Sequence, residues 1–146
     1  DGYLYIRGRI KEQYKLENGR YVVPAPMEEQ LKLSPLINQV MIDGANRPFN
    51  VAVIVPDLES LKAWAQDNGV AYDSDAQLCA HEAAHGRIGQ ELETYGAQFK
   101  GYERVKRWAL ASEEFSPAND MLTPTLKLKR RNVMIAYETV ISELYE

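Results

Sequence analysis

Two short stretches of the chain carry residue types whose spacing can support chemistry. The first is His81-Glu82-Ala83-Ala84-His85, an H-E-x-x-H pattern. On a continuous helix this sets two imidazoles one turn apart, where they can bind zinc while the glutamate between them serves as a base. A catalytic zinc also needs a third ligand and a supporting shell. Glu103 can be argued as that ligand, and nothing in the sequence specifies the shell. The plain alternative is a pair of histidines on the packing stripe of an ordinary helix. The second stretch runs from Met121 to Val133 and contains Lys127, Lys129, Arg130 and Arg131, in a chain whose formal net charge is −4. Thr123-Pro124-Thr125 precedes these cations. Such a restraint limits a loop's freedom and can present one ammonium to a reacting anion. The same cluster also reads as a solvated basic face.

Composition bounds both ideas. At 146 residues and 45% hydrophobic, the chain suits one globular domain with a single core. Four cations without interleaved aromatics, in a net-negative chain, make a weak footprint for nucleic acid or an anionic surface. Cys79 stands alone, which excludes an internal disulfide framework and fits a reducing compartment. No apolar run approaches the roughly 18 to 20 residues of a membrane-spanning helix. The sequence opens on Asp1-Gly2, a turn-forming pair without an initiator methionine. The expectation is therefore a piece cut from a longer protein.

The elements that must position these residues read as an α+β domain, with an N-terminal β-hairpin and a short central sheet flanked by helices. Residues 3–10 and 13–23 have strand character, and Asn18-Gly19 marks a tight turn. Pro26 begins a helix over MEEQLKL with acids in its first turn, and Ser34-Pro35 stops it. INQVMID and NVAVIVPD read as strands. Asp57 caps a helix over LESLKAWAQDNG that Gly69 ends. Ser74 to Gln77 fits a capping box for a long helix reaching about Phe99. Its residues 78, 81, 85, 88, 92, 95 and 99 share one face. Lys100 to Arg107 is a basic loop or helix end, and RWALASEEF reads as a last strand. Residues 131–145 form a final helix with Val133, Ala136, Tyr137, Val140, Ile141 and Leu144 as its core stripe.

Three stretches, in order and at fitting spacings, resemble the C-terminal domain of adenylate-forming enzymes, the acyl-CoA synthetase/luciferase superfamily. They are DGYLYIRGRIKEQYKLENGRYVVPAPMEEQL, SPLINQVMIDGANRPFNVAVIVPDLESLKAWAQ and LTPTLKLKRRNVMIAYETVISELY. The first contains Asp1-Gly2-Tyr3, Gly8-Arg9-Ile10-Lys11, Asn18-Gly19-Arg20 and Pro24 to Glu28. The other two resemble the long-chain fatty acyl-CoA synthetase branch. The similarity is weakest over about residues 70–100, a stretch that is variable in the family and carries no metal site there.

The resemblance implies an AMP-forming fatty acid:CoA ligase. Such enzymes join a carboxylate to AMP using ATP and Mg2+, then exchange AMP for CoA to give a thioester. Residues 1–146 would be the mobile lid alone, hinged near Lys11, with its partner the large N-terminal adenylation domain that holds the phosphate loop and acyl pocket. The implied roles are catalytic for Lys127, hinge for Lys11 and nucleotide-binding for Arg9. Gly19 and Arg20 would line the thioester-forming path to CoA. Lys129, Arg130 and Arg131 would serve the surface or the facing domain, Arg130 structurally. The corresponding expectations are small-molecule substrates (fatty acid, ATP and CoA), no nucleic acid and no metal held by this domain. Its location would be cytoplasmic, with peripheral contact at the inner membrane face left open. The isolated piece would be inactive. A zinc hydrolase built on HEAAH and a non-catalytic binding module are the alternatives.

Overall fold

The computed structural model describes residues 13–145, so the strand expected over 3–10, together with Arg9 and Lys11, lies outside the described residues. In chain order the elements are β1 (Tyr14–Lys15), β2 (Tyr21–Val22), α1 (Pro24–Leu31), β3 (Ile37–Asp43), β4 (Asn50–Pro56), α2 (Leu58–Asp67), α3 (Asp75–Ala80), α4 (Glu82–Tyr95), β5 (Val105–Leu110), α5 (Arg130–Ala136) and α6 (Glu138–Leu144). The α+β class expected from the sequence is the class found.

β3 and β4 pair antiparallel, and β5 joins the far side of β4 in parallel after the crossover through α2, α3 and α4. Side chains alternate across a strand, so consecutive apolar residues feed opposite faces. Val40, Ile42, Ala52 and Ile54 pack on one face with Leu16 and Val22 of the hairpin, Met27 and Leu31 of α1, and Ile88 and Leu92 of α4. Met41, Val51, Val53 and Val55 pack on the other face with Phe115, Met121, Val133 and Ile141. A third cluster gathers Leu61, Ala65, Leu78 and Ala84.

Several boundaries differ from the expectations, each for a local reason. α1 begins at Pro24 rather than Pro26, so Glu28 falls beyond the first turn and onto the buried face with Pro24, Met27 and Leu31. The helix expected over 74–99 is two helices, because His81 adopts extended torsions (φ −73°, ψ 134°). The break lets Leu78 and Ala84 serve one cluster while Ile88 and Leu92 serve another. Ser74 Oγ accepts from the Gln77 amide at 3.1 Å as a capping box requires, but the Gln77 side chain reaches back to the Asp73 amide. The last strand starts at Val105 and ends at Leu110, earlier at both ends than RWALASEEF. The C-terminal helix is interrupted at Tyr137 (φ −110°, ψ 23°). Val133 and Ile141 on either side of the break are buried as expected, whereas Ala136 is exposed. Asp57 caps α2 through its Oδ1 and the Ser60 amide at 3.1 Å, and Gly69 follows at φ +68°.

Candidate active site

Lys127 lies on a tight turn between two short antiparallel arms that meet at the Leu122–Leu128 bridge. Pro124 fixes the backbone after Thr123, and the Leu126 amide closes the turn on the Thr123 carbonyl at 2.8 Å. The Thr123 hydroxyl then accepts from the Lys127 amide at 3.0 Å, and the Thr123 amide donates to the Lys127 carbonyl at 2.8 Å. Lys127 is thus held by its main chain on both sides. Leu126 takes φ +66°, a left-handed conformation that disfavours any residue with a Cβ. Its side chain is 66% exposed.

The three neighbouring cations take three different environments. The Lys129 ammonium sits 2.6 Å from Asp120 Oδ1, on the surface. Asn132 Nδ2 also reaches the Asp120 carbonyl at 2.7 Å, which ties the loop to the start of α5. Arg130 turns inward. Its Nη1 and Nη2 donate to Glu28 Oε2 and Oε1 at 2.5 and 3.0 Å, and Nη1 also donates to the Ile42 carbonyl at 3.0 Å. Glu28 Oε2 accepts from the Ile42 amide at 2.7 Å. This fork joins α1, the outer edge of β3 and the first residue of α5. Arg131 is exposed. Among the described residues the Lys127 ammonium has no hydrogen-bond or ion-pair partner, and its side chain is exposed.

The hairpin turn holding Gly19 and Arg20 is built differently. The Gly19 amide donates to the Leu16 carbonyl at 2.9 Å, and Asn18 Oδ1 accepts from the Arg20 amide at 2.9 Å. Gly19 sits at φ +88° with open space where a Cβ would project, so its backbone is accessible to a ligand. The Arg20 guanidinium lies 4.9 Å from the centre of the Tyr102 ring. Beneath the hairpin the Tyr14 hydroxyl donates to Asn50 Oδ1, and Asn50 Nδ2 reaches the Glu103 carbonyl at 2.8 Å. Burial pushes the Tyr14 phenol above its usual value, with the Asp43 carboxylate adding to the effect. Burial also raises Asp43, against the opposing pull of the Ala45 and Gly44 amides and of Arg130. Tyr145, whose hydroxyl reaches the Phe49 carbonyl at 2.8 Å, is raised by burial and by Asp43.

HEAAH does not form the continuous turn that its metal reading requires. His81 precedes α4 as its cap, with Nδ1 accepting from the Ala83 amide at 3.0 Å. His85 stacks on Trp108 with ring centres 4.5 Å apart. Its Nε2 donates to the Trp108 carbonyl at 2.9 Å, and Trp108 Nε1 donates to the His85 carbonyl at 3.1 Å. Gly89 allows this approach, since a Cβ there would meet the Trp108 ring at 2.6 Å. Glu103 accepts from the Lys100 amide instead of turning toward either imidazole. Among the described residues no three His, Cys, Asp or Glu side chains converge as a metal site.

In the sequence Glu28 is a helical acid near a proline, and nothing local pairs it with Arg130. One signal was available: Pro24, Met27, Glu28 and Leu31 follow the spacing of an inward helix face, and a carboxylate on such a face requires a partner. Asp120 and Tyr102 gave no comparable signal.

The described residues thus form a small α+β domain that presents the exposed Lys127 on a braced turn and an open glycine turn beside Arg20. The chain belongs to the AMP-binding enzyme C-terminal domain family, whose model matches residues 11–146. It is 37% identical to long-chain-fatty-acid–CoA ligase 5 of Rattus norvegicus, over all of this chain and 22% of that protein. It is 32% identical to long chain acyl-CoA synthetase 2 of Arabidopsis thaliana, over 99% of this chain and 22% of the relative. Among solved structures it is similar to the adenylation domain of a carboxylate reductase from Mycobacterium chelonae, with a TM-score of 0.77 and 25% identity. That match covers 94% of this chain and 20% of the other. The chain spans about a fifth of the length of the curated relatives it matches.

Proposed function

We propose that this chain is the mobile C-terminal lid of an ATP-dependent long-chain fatty acid:CoA ligase, and that Lys127 is its catalytic residue for carboxylate adenylation. The observation that carries the reading is the exposed ammonium of Lys127, without a partner among the described residues, on a turn braced by Thr123, within a chain of this family. In the adenylation pose the lid would bring Lys127 to the acyl-carboxylate and the α-phosphate of ATP. A lysine suits this task because it is a compact charge on a long stem with rotatable donors. Its ammonium would stabilise the charge that develops as the carboxylate oxygen attacks the α-phosphorus and the bond to the departing pyrophosphate breaks, in a site closed to water.

The lid would then rotate about Lys11, where the backbone torsions absorb the change. Rotation would replace Lys127 with the Gly19-Arg20 turn along the path of the CoA thiol. Gly19 offers an open backbone for such close approach. Arg9 would contact the nucleotide. The Mg2+ ion would travel with the ATP phosphates on the N-terminal adenylation domain, the partner of this lid. The donor set here does not fit a metal, since no three acidic, His or Cys groups converge among the described residues. The location consistent with this reading is cytoplasmic, with peripheral membrane contact a property of the whole enzyme. The chain alone would fold without synthetase activity.

The test uses the two-domain ligase carrying this chain. Lys127→Ala should lower fatty-acid-dependent adenylation by on the order of 100- to 1000-fold, as loss of one oxyanion-stabilising donor does. Thioester formation from supplied acyl-adenylate and CoA should stay near the wild-type rate. Equal loss in both half-reactions would overturn the role.

A further inference from the structure

We infer that Glu28 is a positioning residue for adenylation, acting on the Lys127 turn through Arg130; this rests on the catalytic role proposed for Lys127. Glu28 lies on the inward face of α1 and is only 6% exposed. It faces Arg130, 102 positions along the chain, in a two-pronged fork. Both peptide groups of Ile42 that β4 does not use are taken by the same pair, the amide by Glu28 and the carbonyl by Arg130. The outer edge of β3 is thereby closed with side chains, and Arg130 is locked against the most rigid part of the molecule.

The consequence passes to Lys127 because the intervening chain has no slack. Arg130 is the first residue of α5, and Lys129 before it has its amide on the Met121 carbonyl at 2.8 Å. Leu128 is bridged to Leu122. Lys127 comes next. No side chain caps the start of α5, so the fork, by tying Arg130 to α1 and β3, is what holds the first residue of the helix in place. The exposed Lys129–Asp120 pair cannot substitute for it, since surface pairs of this kind constrain little. An arginine is needed at this position: its planar donors serve both carboxylate oxygens and a carbonyl at once, which a single ammonium cannot do in the same geometry.

The experiment compares Arg130→Lys, Glu28→Gln and Glu28→Asp with Lys127→Ala in the two-domain ligase, reading both half-reactions and thermal unfolding. The expected result for Arg130→Lys and Glu28→Gln is an adenylation rate lower by about 10- to 100-fold, with thioester formation from supplied acyl-adenylate changed by less than about threefold, because a small misplacement of a reacting group carries costs of this size. Glu28→Asp keeps the charge and shortens the reach, so it should show the same split to a smaller degree even if Glu28→Gln folds poorly. Equal loss of both half-reactions in Arg130→Lys and Glu28→Asp would reduce the fork to a structural role and overturn the inference. Undiminished adenylation in these variants, with Lys127→Ala still defective, would also overturn it while leaving the proposed function standing. Undiminished adenylation in Lys127→Ala would overturn the function itself and the inference with it.

Discussion

The two candidate turns reach unusual backbone conformations by opposite means. At the hairpin, Gly19 takes φ +88° without a Cβ to object, and the space beside it is open. At the other turn, Leu126 takes φ +66° against its own side chain, held by Thr123 and by the bridge between Leu122 and Leu128. Their roots differ as well. The hairpin anchors through Leu16 and Val22 on one face of the sheet, and the Lys127 turn anchors through Met121 and Leu128 on the other. At the hairpin the cation is parked on a ring, Arg20 over Tyr102, whereas at the second turn Lys127 has no partner among the described residues while Lys129 and Arg130 are tied down. A glycine turn offers backbone access, while a strained, braced turn offers a fixed direction for one side chain.

The largest effect expected on stability lies at the root of the second turn. Glu28→Leu alone should cost about 3–5 kcal/mol, because it removes the carboxylate that both Arg130 Nη groups face in a largely desolvated site. Adding Arg130→Met should recover most of that loss, since replacing both members of a buried pair with apolar groups is often neutral. Denaturant midpoints of the wild type and the two variants decide it, and a double mutant no better than the single would show that the pair itself drives folding.

Exchanging the character of the two turns gives the next effect, and its sign differs between them. Gly19→Ala should destabilise by about 1 kcal/mol from backbone strain alone, given the empty space around it. Leu126→Gly should relieve about 1 kcal/mol of strain, offset in part by the greater freedom of glycine in the unfolded chain. The net change should therefore be near zero or slightly stabilising, despite the loss of a whole side chain. A clear destabilisation in Leu126→Gly would mean that the leucine makes contacts worth more than its strain.

The hairpin's footing should also respond to alkali. Tyr14 and Tyr145 both have phenols raised by burial above the ordinary value of about 10. Above that pH the native state binds more protons than the unfolded chain, so stability falls with rising pH. The contribution is whole below about pH 10 and is lost progressively above it. Tyr14→Phe should make the alkaline decline shallower, as followed by the unfolding midpoint between neutral and alkaline buffers. The smallest change belongs to the ring under Arg20. Tyr102→Leu should cost only about 0.5–1 kcal/mol through the lost cation–π contact, read in the same unfolding assay.

Local rules made much of the scaffold legible. INQVMID is β3 residue for residue, and Asp57 and Gly69 bound α2 as their types require. Asn18-Gly19 forms the turn of a hairpin. These features depend on neighbours a few positions apart, so composition and spacing suffice. The single helix expected over 74–99 breaks at HEAAH because helical spacing says nothing about which core each turn must face. Leu78 and Ile88 share a stripe on paper, yet they belong to different clusters, and the chain breaks at His81 to reach both. The interruption at Tyr137 is the same kind of failure, with Val133 and Ile141 both kept buried across the break.

The sequence by itself determined the α+β class, the apolar alternation of the central strands, and the proline- and threonine-restrained turn that bears Lys127. Those properties follow from side-chain periodicity and backbone sterics, both local. The tertiary structure alone decided that Arg130 is the cation turned inward, that Glu28 receives it, and that Lys127 has no partner among the described residues. Residues 28 and 130 meet only because α1 and α5 converge on the outer edge of the same strand, a juxtaposition set by packing rather than by anything within reach along the chain.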